Sequence, residues 1–112
     1  MTVSERSSGS VIVLDVKGAL TLTDGADVLR DKVRSLLQQG HKHVLVNLGN
    51  VPYMDSAGLG ELVQSYATTT RQGGQLKLLN ATQRINDLLV ITKLSTVFDL
   101  FDDEAAAVSS FK

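Results

Sequence analysis

The 112-residue sequence contains no cysteine, so neither disulfide bonds nor a thiolate metal site is available. A formal net charge of -1 and the absence of any basic run argue against a nucleic-acid or anionic-membrane surface. The first residues lack the basic and then apolar profile of a signal peptide, and no apolar run approaches the roughly 20 residues that span a bilayer. We therefore expect a cytoplasmic protein that binds neither nucleic acid nor a membrane.

Residues that could support catalysis or metal binding are also few. The two histidines, His41 and His43, lie at the opposite end of a predicted strand from Ser56, so they are poor partners for that serine. They could share one side of the strand, but no third metal ligand is evident. Gly58 and Gly60 lack the lysine and the full glycine spacing of a nucleotide-binding loop. We predict no enzyme activity, no metal and no cofactor.

What the sequence does contain is an ordinary globular composition, with 43% apolar and 21% charged residues. This length predicts one domain, residues 1–112, with enough material for a hydrophobic core. Apolar and β-branched runs predict strands over 2–6, 11–17, 43–48 and 75–79, and a last strand or its approach over 95–101. Residues 19–22 form either a third short strand or an extended loop.

Helical spacing of apolar residues predicts four helices between these strands. The first is capped by Thr23 or Asp24 and closed by Gly40, the second covers 57–71, Thr82 caps the third, and the fourth follows residues 102–103. Strands alternating with helices predict an α/β layer structure, and the opening hairpin makes the sheet mixed.

The stretch of residues 53–60, YMDSAGLG, joins a predicted buried strand to a helix. Ser56 has two interpretations here. It is either an N-terminal helix cap, which serine and aspartate commonly provide, or a hydroxyl presented for modification or docking. Capping does not explain Gly58 or Gly60, since each glycine costs up to about 1 kcal/mol inside a helix. We expect Gly58 to keep the loop open to an approaching protein.

The predicted second helix carries almost no charge. Between Gly60 and Arg71 the only charged residue is Glu61, and the other positions expected to point outward are Gln64, Ser65, Thr68 and Thr69. Because interface cores are depleted in charge, this surface suits a protein partner. The alternative is a helix surface that is uncharged but merely exposed to solvent.

The string of residues 55–60, DSAGLG, resembles the signature of the STAS domain, specifically of bacterial anti-sigma-factor antagonists. The similarity covers nearly the whole chain and includes the preceding strand, the pair Gly73 and Gly74, the stretch 91–94 (ITKL) and the phrase 97–102 (VFDLFD). The resemblance implies a mixed sheet of four to five strands with helices mainly on one face. It also implies that Ser56 is phosphorylated by an anti-sigma factor that is itself a serine kinase.

We also expect a phosphatase that reverses the modification, and a monomer or weak dimer. The turn after the second strand reads GALT over 18–21, without the two acidic residues that many members have there, and this leaves the identity of the kinase open. In the family this turn lies beside the serine. We predict phosphorylation at Ser56 and partner binding by Gly18, Thr21, Tyr53, Met54, Asp55, Ala57, Gly58, Leu59, Glu61, Gln64 and Thr68.

Two other functions remain open from the residues alone. The first is a constitutive structural or regulatory subunit, in which the same helix docks on a transporter or signalling scaffold without phosphorylation. The second and weaker one is a sensor of a small ligand or nucleotide.

Overall fold

The computed structural model covers residues 1–112 and contains five strands and four α-helices in an alternating order. The elements in chain order are β1 (Thr2–Ser8), β2 (Val11–Lys17), α1 (Ala26–Gln38), β3 (His43–Asn50), α2 (Ser56–Arg71), β4 (Gln75–Leu79), α3 (Gln83–Ile91), a 3-10 turn (Leu94–Thr96), β5 (Leu100–Phe101) and α4 (Glu104–Ser110). Each predicted helix is present, and so is each predicted strand except that only residues 100–101 of the segment 95–101 form a strand. Residues 19–22 form a loop with isolated bridges only.

The five strands form one sheet in the order β1-β2-β3-β4-β5. β1 pairs with β2 in an antiparallel hairpin, whereas every later pair is parallel. The predicted mixed sheet is therefore confirmed, with five strands. Because β2 and β3 are parallel neighbours, the loops that follow them emerge at the same edge of the sheet.

Strand residues alternate between two cores of unequal size. The larger core packs α1, α2 and α3 on one face of the sheet and includes the alternate β2 residues Ile12 and Leu14. The smaller core includes Val11 and Val13 and packs against α4 through Ala107. The prediction that helices lie mainly on one face is thus confirmed, with α4 as the single helix on the other face.

Several helix ends differ from the sequence prediction. Neither Thr23 nor Asp24 caps α1, because the N-cap position is Gly25, with φ 102° and no side-chain cap. Asp24 instead closes a turn with Thr21, in which its backbone N–H donates to the threonine hydroxyl at 3.1 Å. Gly40 does close α1, with a φ of 90° and its N–H donating to the Leu37 carbonyl.

The third predicted cap is confirmed, since the Thr82 hydroxyl accepts a hydrogen bond from the Ile85 N–H at 3.4 Å. None of the helices has both the length and the apolar character that a membrane span requires.

Candidate partner-binding site

Two loops meet at the edge of the sheet where β2 and β3 end. The β2–α1 loop (18–25) and the β3–α2 loop (51–55) are joined by backbone hydrogen bonds from Leu20 N–H to the Tyr53 carbonyl at 3.0 Å and from Asp55 N–H to the Leu20 carbonyl at 3.3 Å. Gly18 adds a bond to Asn50 at 3.0 Å. The start of α2 is therefore held against the β2–α1 loop by main-chain contacts.

The Asp55 side chain strengthens the same junction. Asp55 is the N-cap of α2, and its Oδ1 accepts from the Gly58 N–H at 2.8 Å. Its Oδ2 accepts from the Leu22 N–H at 3.1 Å, so one carboxylate links both loops. The hydrogen bonds from Gly58 and then Leu22 stabilise the charged form and lower the Asp55 pKa below its ordinary value.

Ser56 is the first helical residue of α2, and its side chain is exposed. The interpretation of Ser56 as the helix cap is wrong, because Asp55 occupies that position. The Ser56 hydroxyl forms no hydrogen bond within the protein. It is therefore free to react with, or to donate to, a group outside the chain.

Exposed residues from both loops surround this helix start. Tyr53 is 47% exposed and Leu22 is 73% exposed, although the leucine side chain is wholly apolar and the tyrosine side chain largely so. Gly18, Thr21 and Ala57 are partly buried. Leu22 was missed in the sequence, where it reads as one more apolar residue of a short strand.

Four predicted contact residues are buried, and three of them, Met54, Gly58 and Leu59, cannot touch a partner directly. Met54 and Leu59 are 6% and 8% exposed and belong to the larger core. Gly58 is also buried, and a Cβ atom there would lie 2.0 Å from the Leu20 carbonyl oxygen. The expectation that Gly58 gives access to Ser56 is therefore wrong. Its missing side chain instead lets α2 approach the β2–α1 loop.

Several polar residues of α2 that were predicted to be exposed are buried. Glu61, Ser65 and Thr69 do not point outward, since they are 6%, 3% and 0% exposed. The Ser65 hydroxyl donates to Glu61 Oε2 at 3.0 Å, and burial raises the Glu61 pKa. Glu61 is therefore not a freely accessible contact residue. Gln64 is exposed and Thr68 is partly exposed, so both remain available to a partner.

A polar cleft of about 280 Å³ separates α1 from α2. Its lining residues, which define the α1–α2 cleft, are Arg30, Val33, Arg34, Glu61, Gln64, Ser65 and Thr68. The two arginines were missed in the sequence. Their separation of four residues, which places them on the same side of α1, is the signal that could have drawn attention to them.

The histidines lie away from this edge. The Ser10 hydroxyl is 3.4 Å from His43 Nδ1, and the His43 ring packs against Phe111 with 5.3 Å between ring centroids. No group of three or more histidine, aspartate or glutamate side chains is placed to hold a metal ion.

Comparison with known proteins identifies a matching family model and several solved structures with a similar fold. The STAS domain family model matches residues 3–107. The anti-sigma-B factor antagonist of Bacillus subtilis is 41% identical over 75 residues, which cover 67% of this chain and 68% of that protein.

Two solved structures share the fold at low sequence identity. Protein TM1081 of Thermotoga maritima has a TM-score of 0.90 and 20% identity, covering 97% of this chain and 93% of that one. The phosphorylated form of the Bacillus cell fate determinant SpoIIAA has a TM-score of 0.75 and 18% identity, covering 96% and 97%. The family model spans 105 of the 112 residues, so the chain belongs to the STAS domain family.

Proposed function

We propose that this protein is an anti-sigma factor antagonist whose partner binding is switched by phosphorylation of Ser56. The main support for the proposal is the exposed Ser56 hydroxyl. It does not cap α2, because Asp55 occupies the N-cap position. The 41% identity to an anti-sigma-B factor antagonist supports the choice of partner class. In this function the unphosphorylated protein binds an anti-sigma factor and so releases the sigma factor.

The modification is a phosphoryl transfer from ATP bound by the anti-sigma factor, acting as a serine kinase. The Ser56 oxygen attacks the γ-phosphorus, the bond to ADP breaks, and the hydroxyl proton passes to a base of the kinase. This reaction needs an accessible hydroxyl held in a fixed direction. The first turn of α2, fixed by Asp55 and by the backbone bonds to Leu20, provides such a support.

Phosphorylation would then weaken the complex by electrostatics. A phosphoserine carries about -1.5 to -2 charges at neutral pH. The N-terminus of α2 tolerates this charge, so the fold should survive. A docked surface would not, because the phosphate would have to lose its water beside the charged Asp55. A serine phosphatase would restore binding.

The contact surface in this proposal consists of exposed or partly exposed residues around Ser56 and along α2. They are Gly18, Thr21, Leu22, Tyr53, Asp55, Ala57, Gln64 and Thr68. Met54, Gly58 and Leu59 support this surface from beneath, since all three are buried.

Intact-mass analysis of the protein from its own cells, before and after phosphatase treatment, tests the switch. We expect a mass difference of one phosphate, and phosphopeptide mapping should place it on Ser56. The Ser56→Ala variant should lose the modification and keep binding the anti-sigma factor, while Ser4→Ala, an exposed serine on β1, serves as the control. Phosphate mapped mainly to Ser4, Ser10 or Ser95 would contradict the proposal. An unphosphorylated protein in a permanent complex would favour the structural-subunit function.

A further inference from the structure

The α1–α2 cleft presents hydrogen-bond donors from two helices. Arg30 and Arg34 lie one turn apart on α1, and Gln64 and Thr68 lie one turn apart on α2. At the end of the cleft, Arg71 Nη2 approaches the Thr68 hydroxyl at 3.4 Å. Three guanidinium groups are therefore close to one cleft.

These arginines differ in how they are neutralised. Arg30 lies 3.6 Å from Glu61 Oε1 and 3.8 Å from Asp31 Oδ1, so it has two carboxylate neighbours. Neither Arg34 nor Arg71 has a carboxylate at ion-pairing distance, and the Arg34 charge acts on Glu61 only from further away. Since an arginine fork matches a carboxylate in shape and charge, the two unpaired groups are suited to an external acid.

The one carboxylate inside the cleft is not accessible to a ligand. Glu61 is only 6% exposed, and its oxygens are engaged by the Ser65 hydroxyl and by Arg30. Its contact with Arg30 restrains that side chain at the wall of the cleft. The groups that a ligand can reach are therefore mainly donors, and the ligand must supply acceptors.

We propose that the α1–α2 cleft binds an acidic segment of a protein partner through its aspartate or glutamate side chains. From Glu61 to Thr68 the cleft runs for two helical turns, which is about 10 Å. Acidic side chains on the same side of an extended segment are about 7 Å apart. The cleft is therefore long enough for two such side chains, one beside Arg34 and one at the Thr68 end, where Arg71 lies. The cleft shares Gln64 and Thr68 with the contact surface proposed above, but its arginines lie outside that surface, and binding of an acidic segment to them does not require phosphorylation of Ser56.

The test is a titration of the ¹⁵N-labelled 112-residue protein with a hexapeptide of alternating glutamate and glycine, followed by NMR at low salt. We expect saturable shifts of the backbone amides of Arg34, Gln64 and Thr68. Arg34→Gln and Arg71→Gln should each weaken binding by about three- to ten-fold, since each removes one charge-assisted contact. Thermal melting of both variants checks the fold, which exposed substitutions usually leave intact.

Two controls separate this site from general attraction between charges. The peptide with glutamine in place of glutamate should not bind. Arg84→Gln, which removes another arginine without a carboxylate partner from α3, should leave the affinity unchanged. The proposal is overturned by an absence of saturable shifts, by equal binding of the glutamine peptide, or by an Arg84→Gln effect as large as that of Arg34→Gln.

Discussion

Asp55 and Glu61 are six residues apart at the start of α2, and their carboxylates have opposite environments. Asp55 lies at the helix N-terminus, where the N–H groups of Gly58 and Leu22 favour the charged form and lower its pKa. Glu61 lies between α1 and α2, where burial disfavours the charged form and raises its pKa. The Asp55 carboxylate thus links two loops, whereas the Glu61 carboxylate restrains Arg30.

The two regions are also held together by different kinds of contact. The Ser56 junction depends on the main chain, because its hydrogen bonds join backbone groups or a carboxylate to backbone groups. The α1–α2 cleft depends on side chains, namely Arg30, Glu61 and Ser65. Substitutions should therefore change the junction mainly through packing and backbone geometry, and the cleft mainly through charge.

The largest effect is expected at Gly58, where the junction leaves no room for a side chain. A Cβ at Gly58 would lie 2.0 Å from the Leu20 carbonyl oxygen, and a backbone atom cannot move aside cheaply. Gly58→Ala should lower the free energy of unfolding by about 2 to 3 kcal/mol. Urea denaturation measures this loss.

Gly60 provides the matched control, two residues further along the same helix. A Cβ there meets nothing within 4 Å, so Gly60→Ala should raise stability by about 0.5 to 1 kcal/mol. If Gly58→Ala were as stable as the parent protein, α2 would not be held close to the β2–α1 loop in solution.

Gly58 also shows what the sequence could and could not predict. The alternation of apolar residues predicted the strands, the helices and the mixed sheet, because these patterns depend on one buried side per element. The sequence did not tell whether the missing side chain of Gly58 faced solvent or the Leu20 carbonyl. That choice depends on which loop packs across the helix start.

The same limit applies to the polar residues of α2. Helical spacing groups Glu61, Ser65 and Thr69 on one side, and their polarity suggested that this side was exposed. In the structure α2 packs against both the sheet and α1, so a second side of the helix is buried. Likewise, Asp55 and Ser56 are both good caps by composition, and only the backbone conformation decides between them.

The next effect in size concerns Asp55 itself. Asp55→Asn keeps one carbonyl acceptor but cannot accept from both Gly58 and Leu22, since its amide nitrogen is a donor. The melting temperature at neutral pH should therefore fall, by less than in Gly58→Ala. Asp102→Asn, at an exposed residue between β5 and α4, is the control.

The stability difference between the parent protein and Asp55→Asn should depend on pH. Because the Asp55 pKa is lowered in the folded state, its stabilising contribution is present above the unfolded pKa, about 3.9, and is lost as the pH falls through the folded value. The difference between parent and Asp55→Asn should shrink in acid. A difference that stays constant down to low pH would show that the charge is not involved.

Glu61 should behave in the opposite way. Its raised pKa means that the charged form destabilises the fold above the folded pKa and has no such effect below the unfolded one. Glu61→Gln should therefore gain stability relative to the parent as the pH rises from about 4 to 7, a smaller change than that at Asp55. Urea denaturation at both pH values measures it. A parent that gains instead would show that attraction to Arg30 outweighs the burial of the charge.

The smallest effect is expected at Ser56, although it lies next to the residue that caps the helix. Ser56→Ala removes a hydroxyl that has no hydrogen-bond partner in the protein, and alanine is the better helix former. The free energy of unfolding should stay within about 0.5 kcal/mol of the parent value. Ser56→Asp should be equally well folded or slightly more stable, because an acid is favoured in the first turn.

These two variants separate folding from binding. Under the proposed function, Ser56→Ala binds the anti-sigma factor like the unphosphorylated parent, and Ser56→Asp binds it more weakly while melting no lower. Paired thermal melts and binding titrations on the same preparations give both quantities. A loss of more than about 1 kcal/mol in Ser56→Ala would mean that the hydroxyl stabilises the junction after all. Asp55 and Ser56 would then share the capping role, and Ser56 would no longer stand out as the residue left free for modification.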